Sequence, residues 1–134
     1  MANWTFEQRT GKLYDPQGNC VATGYAGGNE GKNPEGKNNP DMQDKPCIGP
    51  LPEGMYTLET PIMQSHLGPF AIPLEPDSGN TMFGRGYFYV HGDTIASPGS
   101  ASEGCIIMDR TTRNMMWESS DHRLKVVRTY ESKS

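Results

Sequence analysis

The sequence predicts a mostly β fold, either a sandwich or a partly closed barrel, with one short helix. Hydrophobic residues make up only 34% of the chain, while 16 glycines and 11 prolines divide it into short segments. This composition favours a loop-rich β protein over a helical bundle. The length of 134 residues suits one core, so we expect a single domain over residues 1–134.

Short segments separated by turn signals predict the strands in order. Near the N-terminus, apolar and polar residues alternate on either side of Thr10 and Gly11, which predicts a hairpin, and the Asp-Pro-Gln-Gly run at residues 15–18 is a second turn signal. We expect strands at residues 3–8, 12–14, 19–25, 55–59, 70–74, 86–93, 102–108 and 124–130.

The one predicted helix follows Asp109, whose carboxylate suits the N-cap position. It covers residues 110–118, and we expect Met115, Met116 and Trp117 to pack it against the core. The longest stretch without such a pattern is residues 27–46, rich in Gly, Asn and Pro. A loop of this length is commonly functional in a compact domain, so two interpretations stay open, a lid over a cleft or a plain surface excursion.

The segment at residues 86–93 predicts a strand that lines a cleft. Side chains alternate between the two faces of a strand, so Phe88 and Val90 point into the core. The opposite face carries the polar side chains of Tyr87, Tyr89, His91 and Asp93. The alternative is an ordinary solvated outer face.

His91 and Cys105 are the candidate catalytic pair. Thirteen residues separate them, and a short loop between the two predicted strands brings their ends together. A thiol is weakly ionised at neutral pH, and a neighbouring imidazole can take its proton and leave a nucleophile. Gly104 lets a bound carbonyl approach the backbone, where N–H groups can stabilise an oxyanion. The alternative, a buried structural cysteine and an unrelated histidine, does not account for this surrounding pattern.

Composition also excludes several classes of partner. The net charge is −4 without a basic tract, which argues against nucleic-acid binding. No stretch approaches the roughly 20 apolar residues that span a bilayer, so we expect no membrane insertion. The first seven residues show neither a basic start nor an apolar run, so no signal peptide is visible.

The motif formed by His91 and the segment Ser102-Glu103-Gly104-Cys105 resembles that of L,D-transpeptidases, bacterial enzymes that process peptidoglycan through a cysteine acyl-enzyme. The chain is more similar to the type VI secretion L,D-transpeptidase effectors, a family of antibacterial toxins. Residues 22–27, 36–43, 49–56, 83–85, 89–93 and 98–106 carry this resemblance. It departs from the broader transpeptidase motif in three ways: Glu103 replaces a second histidine, the His-to-Cys interval is shorter, and Ile106 follows the cysteine where a polar residue is usual.

The resemblance implies an L,D-transpeptidase-like fold and a role for each candidate residue. Cys105 attacks the carbonyl of the third stem residue, His91 is the general base, and the backbone at Gly104 and Cys105 holds the oxyanion. Asp93 orients His91 or binds a substrate amine, and Ser102 buttresses the site. The candidate substrate contacts are Tyr87, Tyr89, Arg85 and Arg110, with either arginine as the group that recognises a substrate carboxylate.

The resemblance also implies the partners and the location. The substrates are peptidoglycan stem peptides of four residues and D-amino acids, with no cofactor and no metal. The other partners are a cognate immunity protein and the secretion apparatus. Such a protein is made in the cytoplasm and delivered to the periplasm of a target bacterium.

Three alternatives remain. Cys20 and Cys47 form a disulfide, which a periplasmic destination permits, or they are two separate buried thiols. The chain is a noncatalytic cell-wall-binding or toxin-neutralising module, although binding does not require a cysteine opposite a histidine. Lastly, a zinc hydrolase would use His91, Asp93 and Cys105, but His66 and His122 lack ligand spacing to these residues.

Overall fold

A computed structural model describes residues 3–64, 67–95 and 97–131. Within these residues, nine strands form one nearly closed, barrel-shaped sheet, and one α-helix lies against it. The predicted mostly β fold, a partly closed barrel with one short helix, is therefore confirmed. His66 lies outside the described residues.

The strands are short, as the turn signals predict. They are β1 (Trp4–Glu7), β2 (Lys12–Tyr14), β3 (Cys20–Thr23), β4 (Tyr25–Ala26), β5 (Gly54–Leu58), β6 (Ile72–Pro76), β7 (Phe88–His91), β8 (Ile106–Ile107) and β9 (Arg123–Val127). Their order in the sheet is β3-β2-β1-β9-β5-β6-β7-β8-β4. The pairs β1–β9 and β7–β8 are parallel, and the remaining pairs are antiparallel.

Gly24 brings the two edges of the sheet together. It connects β3 at one edge to β4 at the other, so the strand predicted over residues 19–25 is divided in two. Its N–H donates to the carbonyl of Gly11 at 2.7 Å, and a Cβ atom at this position would lie 1.8 Å from the carbonyl oxygen of Ile107. Only a glycine permits so close a contact with β8.

The core fills the inside of the barrel, and one helix closes it. Fully buried side chains include Trp4, Phe6 and Tyr56. The helix α1 (Arg110–Glu118) begins where it was predicted, with the Asp109 carboxylate accepting from the Thr112 N–H at 2.8 Å. Two of the three predicted contacts hold and one does not. Met116 is buried and Trp117 packs against the core, but Met115 is 39% exposed, so its predicted packing is wrong.

Left-handed backbone conformations explain where predicted strands are too long. Phe70 has φ 57° and Tyr87 has φ 61°, and neither value is compatible with a strand. The strands therefore begin later, at Ile72 in β6 and at Phe88 in β7. The strand predicted at residues 102–108 is reduced to the two residues of β8.

The loop at residues 27–46 is folded rather than open. It contains three short 3-10 helices, at Asn29–Gly31, Pro34–Gly36 and Pro40–Met42. Its start is tied to the chain after the loop, because the Gly28 N–H donates to the carbonyl of Ile48 at 2.8 Å. No helix in the described part of the chain is both long enough and apolar enough to cross a membrane.

Neither predicted arrangement of Cys20 and Cys47, a disulfide or two buried thiols, is found in the structure. Cys20, Cys47 and Cys105 are all free thiols. Cys20 and Cys47 are also exposed rather than buried, since Cys20 begins the edge strand β3 and Cys47 lies in a surface turn.

Candidate active site

An open cleft of about 490 Å³ contains the candidate nucleophile. Cys105 lies in its lining, immediately before β8. The neighbouring lining residues include Tyr87 and Tyr89, Arg85, Cys47 and Glu103. The cleft therefore joins the start of β7 to the turn that precedes β8.

The register of β7 and β8 places Cys105 near His91 along two neighbouring strands. Val90 pairs with Ile106 and His91 pairs with Ile107, in parallel. Cys105 precedes Ile106 by one residue, just outside β8, so it lies two positions before Ile107, the residue that pairs with His91. At 3.3 Å per residue and 4.8 Å between strands, the Cα atoms of Cys105 and His91 are about 8 Å apart. The described lining of the cleft includes Cys105 but not His91.

The surroundings of the Cys105 sulfur keep it protonated at rest. Burial, with a smaller contribution from the charge of Glu103, raises the pKa of the thiol to about 11. The backbone N–H of Tyr89, the charge of Arg85 and the N–H of Cys105 itself act in the opposite direction. A standing thiolate is therefore not the resting state at neutral pH, and the proton must leave as the substrate is attacked.

His91 is oriented by a backbone carbonyl. The ring is 3% exposed, and its Nδ1 lies 2.9 Å from the carbonyl oxygen of Gly92. A carbonyl only accepts, so Nδ1 carries the proton and donates it, which leaves Nε2 as the basic nitrogen of the neutral ring. In this tautomer Nε2 carries the lone pair that can accept a proton.

Asp93 holds the loop after β7, and its hydrogen bonds to the described residues go to groups other than the imidazole. Its carboxylate accepts from the Tyr25 hydroxyl at 2.6 Å and from the Gly99 N–H at 2.9 Å. The Tyr25 oxygen in turn accepts from the Ala101 N–H at 2.9 Å. These bonds tie Asp93 to Gly99 and, through Tyr25, to Ala101. The zinc alternative would need His91, Asp93 and Cys105 to meet at one point. The described residues contain no group of three His, Cys, Asp or Glu placed to hold a metal ion.

The buried Ser102 hydroxyl holds the backbone that carries the nucleophile. It is 1% exposed, and its oxygen accepts from the N–H groups of Gly27 and Gly104 at 2.8 and 2.9 Å. Its hydroxyl donates to the carbonyl of Cys105 at 2.6 Å. The hydroxyl thus joins the start of the 27–46 loop to the turn that carries the thiol.

Gly104 is required by that turn. Its φ is 133°, and a Cβ atom there would lie 2.6 Å from an Arg85 nitrogen and 2.7 Å from the Phe88 ring. Its N–H is already bonded to Ser102, so it is not free to bind an oxyanion in this state. The backbone N–H groups of Tyr89 and Cys105 act on the thiol and lower its pKa.

Arg85 binds backbone rather than solvent. Its guanidinium donates to four carbonyl oxygens, of Gln43 at 2.7 Å, Pro50 at 2.8 Å, Gly49 at 3.1 Å and Glu103 at 3.2 Å. It therefore fastens the end of the 27–46 loop to the turn before Cys105. Its predicted contact with a substrate carboxylate stays a prediction.

The other candidate contacts differ in position. Tyr87 is 93% exposed at the cleft, and Tyr89 is partly buried in its wall. Arg110 is exposed at the start of α1, where its guanidinium lies 4.7 Å from the centre of the Phe70 ring. It does not appear in the cleft lining.

Sequence reasoning missed Arg113, which supports the His91 end of the site. This residue of α1 is 4% exposed and donates to the carbonyls of Met108, Phe70 and Pro69. The Met108 N–H in turn donates to the carbonyl of His91 at 3.0 Å. The only available signal was a charged residue on the apolar side of a predicted helix, three positions before Met116.

Comparison with known families gives one match. Residues 22–131 match the family model of the Tlde1 domain. Searches of curated proteins and of solved structures each returned no match.

Proposed function

Because the chain belongs to the Tlde1 domain family of type VI L,D-transpeptidase effectors, we propose that it is a cysteine-dependent peptidoglycan L,D-carboxypeptidase and L,D-transpeptidase. Its substrate is the tetrapeptide stem. Delivery into the periplasm of a rival bacterium, and neutralisation by a cognate immunity protein in the producer, belong to the same proposal.

The observation that carries the proposal is the placement of Cys105. The thiol lines an open cleft and lies one strand away from His91 and two positions along. A structural cysteine has no need of an open cleft, of an imidazole on the neighbouring strand or of backbone N–H groups that lower the pKa of its thiol. Together these supply the nucleophile, the base and the donors that acyl transfer requires.

The first half-reaction forms a thioester. As the Cys105 sulfur attacks the carbonyl of the third stem residue, His91 Nε2 removes the thiol proton. The N–H groups of Cys105 and Tyr89 stabilise the oxyanion, in place of the Gly104 N–H. The C–N bond to the terminal D-alanine breaks, and its amine leaves with the proton held by His91.

The second half-reaction decides the product. Water that attacks the thioester gives a tripeptide stem and restores the thiol, which is carboxypeptidase activity. The amine of a D-amino acid that attacks instead gives an exchanged tetrapeptide. In both cases His91 takes the proton of the nucleophile and returns it to the sulfur.

We assign the cleft walls a role in selecting stem length. The exposed Tyr87 and the partly buried Tyr89 line the cleft, together with Pro46 at the end of the 27–46 loop and the neighbouring Cys47. A site that accepts one D-residue beyond the scissile bond need not accept two. The enzyme therefore prefers tetrapeptides to pentapeptides.

The test is digestion of a defined mixture of tetrapeptide and pentapeptide muropeptides, with and without D-methionine, followed by mass spectrometry. We expect loss of tetrapeptide, appearance of tripeptide, and diversion to the D-methionine product when that amino acid is added. Loss of the pentapeptide before the tetrapeptide, or cleavage within the glycan strand, would show that the enzyme cuts a different bond and belongs to a different class. Binding without any cleavage would favour the noncatalytic module.

A further inference from the structure

The cleft has a sharply uneven charge. Among its described lining residues, the cationic and carboxylate side chains are Arg85 and Glu103. The guanidinium of Arg85 is taken up by four backbone carbonyls. The carboxylate of Glu103 is exposed and makes no hydrogen bond or ion pair with the described residues. The one charge that faces the cleft without a partner is therefore negative.

The backbone that carries this carboxylate is held firmly. The carbonyl of Glu103 accepts from Arg85, and its neighbours on both sides belong to the Ser102 network. The Cα atom of Glu103 is therefore held in place two residues before Cys105. Its charge acts on the sulfur, because it raises the pKa of the thiol.

This position opposes catalysis unless the substrate compensates. A nearby negative charge disfavours both the thiolate and the developing oxyanion. A cation on the substrate would offset that effect and would gain from the unpartnered carboxylate at the cleft.

We propose that Glu103 is a specificity-determining residue that selects acyl donors with an ammonium group on the side chain of the attacked residue. The identity of that donor as a stem peptide rests on the proposed function, whereas cation selection at the sulfur does not. The attacking amine of a D-amino acid is a poor partner for the Glu103 carboxylate. It must lose its proton, and with it its positive charge, before it can attack the thioester. A side-chain ammonium keeps its charge through both half-reactions.

The first experiment measures cation selection without turnover. Cys105 is modified with two methanethiosulfonates of similar size, one bearing trimethylammonium and one bearing sulfonate, after Cys20 and Cys47 are changed to Ser. The ratio of the two rates cancels any change in thiol pKa. We expect the cation to react faster, and the ratio to fall about five-fold in Glu103→Gln, consistent with the modest effect of exposed charge pairs on each reagent.

Glu118→Gln is the matched control, since Glu118 is an exposed carboxylate at the end of α1 and does not line the cleft. Its ratio should equal that of the parent. A ratio that is the same in Glu103→Gln as in the parent, or that falls equally in both variants, overturns the proposal, regardless of whether the protein turns over stem peptides.

The second experiment identifies the ammonium. Two tetrapeptides, with the side-chain amine of the third residue either free or acetylated, are compared by kcat/KM. We expect the free amine to be preferred by wild type and the preference to fall at least three-fold in Glu103→Gln, while labelling by a neutral alkylating reagent becomes faster. Cation-selective labelling with equal use of both peptides would refute the assignment to the donor side chain. Cation-selective labelling with no turnover of either peptide would support selection by Glu103 and contradict the proposed function.

Discussion

The two halves of the site are built in different ways. The nucleophile side consists of residues 102–105 and the end of the loop at residues 43–50. It is held by side chains that hydrogen-bond to irregular backbone, chiefly those of Ser102 and Arg85. The imidazole side, residues 91–92 with α1, is held by strand pairing and by the buried Arg113.

This difference separates activity from stability. Arg85 is partly exposed and joins loops, so its bonds order the cleft more than they stabilise the barrel. Arg113 is buried between the helix and the sheet, and the carbonyls that it satisfies would lose their donor in the interior. Damage to the nucleophile side should therefore reduce turnover first, whereas damage to the imidazole side should also reduce the free energy of unfolding.

Cys105→Ala should abolish turnover of tetrapeptide stems and leave the fold intact, because the change removes the nucleophile from a partly exposed position. Cys105→Ser should be nearly inactive, since a hydroxyl is much harder to deprotonate than a thiol. Muropeptide analysis measures activity and circular dichroism measures folding. A folded alanine variant with undiminished activity would contradict the mechanism.

His91→Ala should reduce kcat by roughly 10²–10⁴-fold, the usual effect of losing a general base. The variant also loses a buried ring from β7, so its melting temperature must be recorded beside the rate. His91→Gln keeps much of the volume and serves as the control for packing. Full activity in a folded His91→Gln protein would show that another group takes the thiol proton.

The partly exposed Arg85 and the buried Arg113 provide the direct comparison. Arg113→Ala should lower the free energy of unfolding by about 3 kcal/mol, as its three carbonyls lose a charged donor. Arg85→Ala should lower it by only about 1 kcal/mol but reduce kcat/KM by roughly ten-fold or more, as the nucleophile turn loosens. Urea unfolding and steady-state kinetics measure the two effects.

Arg128→Ala is the matched control for both arginines. Arg128 is an exposed arginine whose ion pairs with Asp41 and Glu53 lie at the surface, so about 0.5 kcal/mol or less is expected. Equal losses of stability and activity in Arg85→Ala and Arg113→Ala would remove the distinction between the two sides.

The pH dependence of thiol labelling tests the resting state of the nucleophile side alone. Labelling needs the thiolate, and a pKa raised to about 11 keeps Cys105 protonated below that pH. Without substrate, the rate of iodoacetamide labelling should rise about ten-fold per pH unit from pH 7 to 9. A plateau already reached near pH 7 would indicate a standing thiolate.

Regular elements could be predicted from the sequence because their signals are local. The N-terminal hairpin, β5, β9 and the helix capped by Asp109 all follow from alternation, turn residues or a capping side chain within a few positions. Left-handed residues such as Phe70 and Tyr87 were not predictable, since any non-glycine residue disfavours that conformation and only tertiary contacts impose it.

The site was predictable only in part, for a similar reason. Cys105, His91, Gly104 and Ser102 lie in short motifs whose residue types carry the chemistry. The partners of Arg85 and Arg113 are backbone carbonyls, which leave no mark on the sequence. Long-range bonds of this kind, such as Arg85 to Gln43, are decided by how the loops pack.

The most direct test of the account is detection of the acyl-enzyme. Wild-type protein is mixed with a tetrapeptide muropeptide, quenched in acid and analysed by intact-protein and peptide mass spectrometry, with Cys105→Ala as the control. The account predicts an adduct equal to the substrate without its terminal D-alanine, located on the Cys105 peptide, released by hydroxylamine and absent from the control. Cleavage of the tetrapeptide at the same rate by both proteins, with no adduct on Cys105, would contradict it.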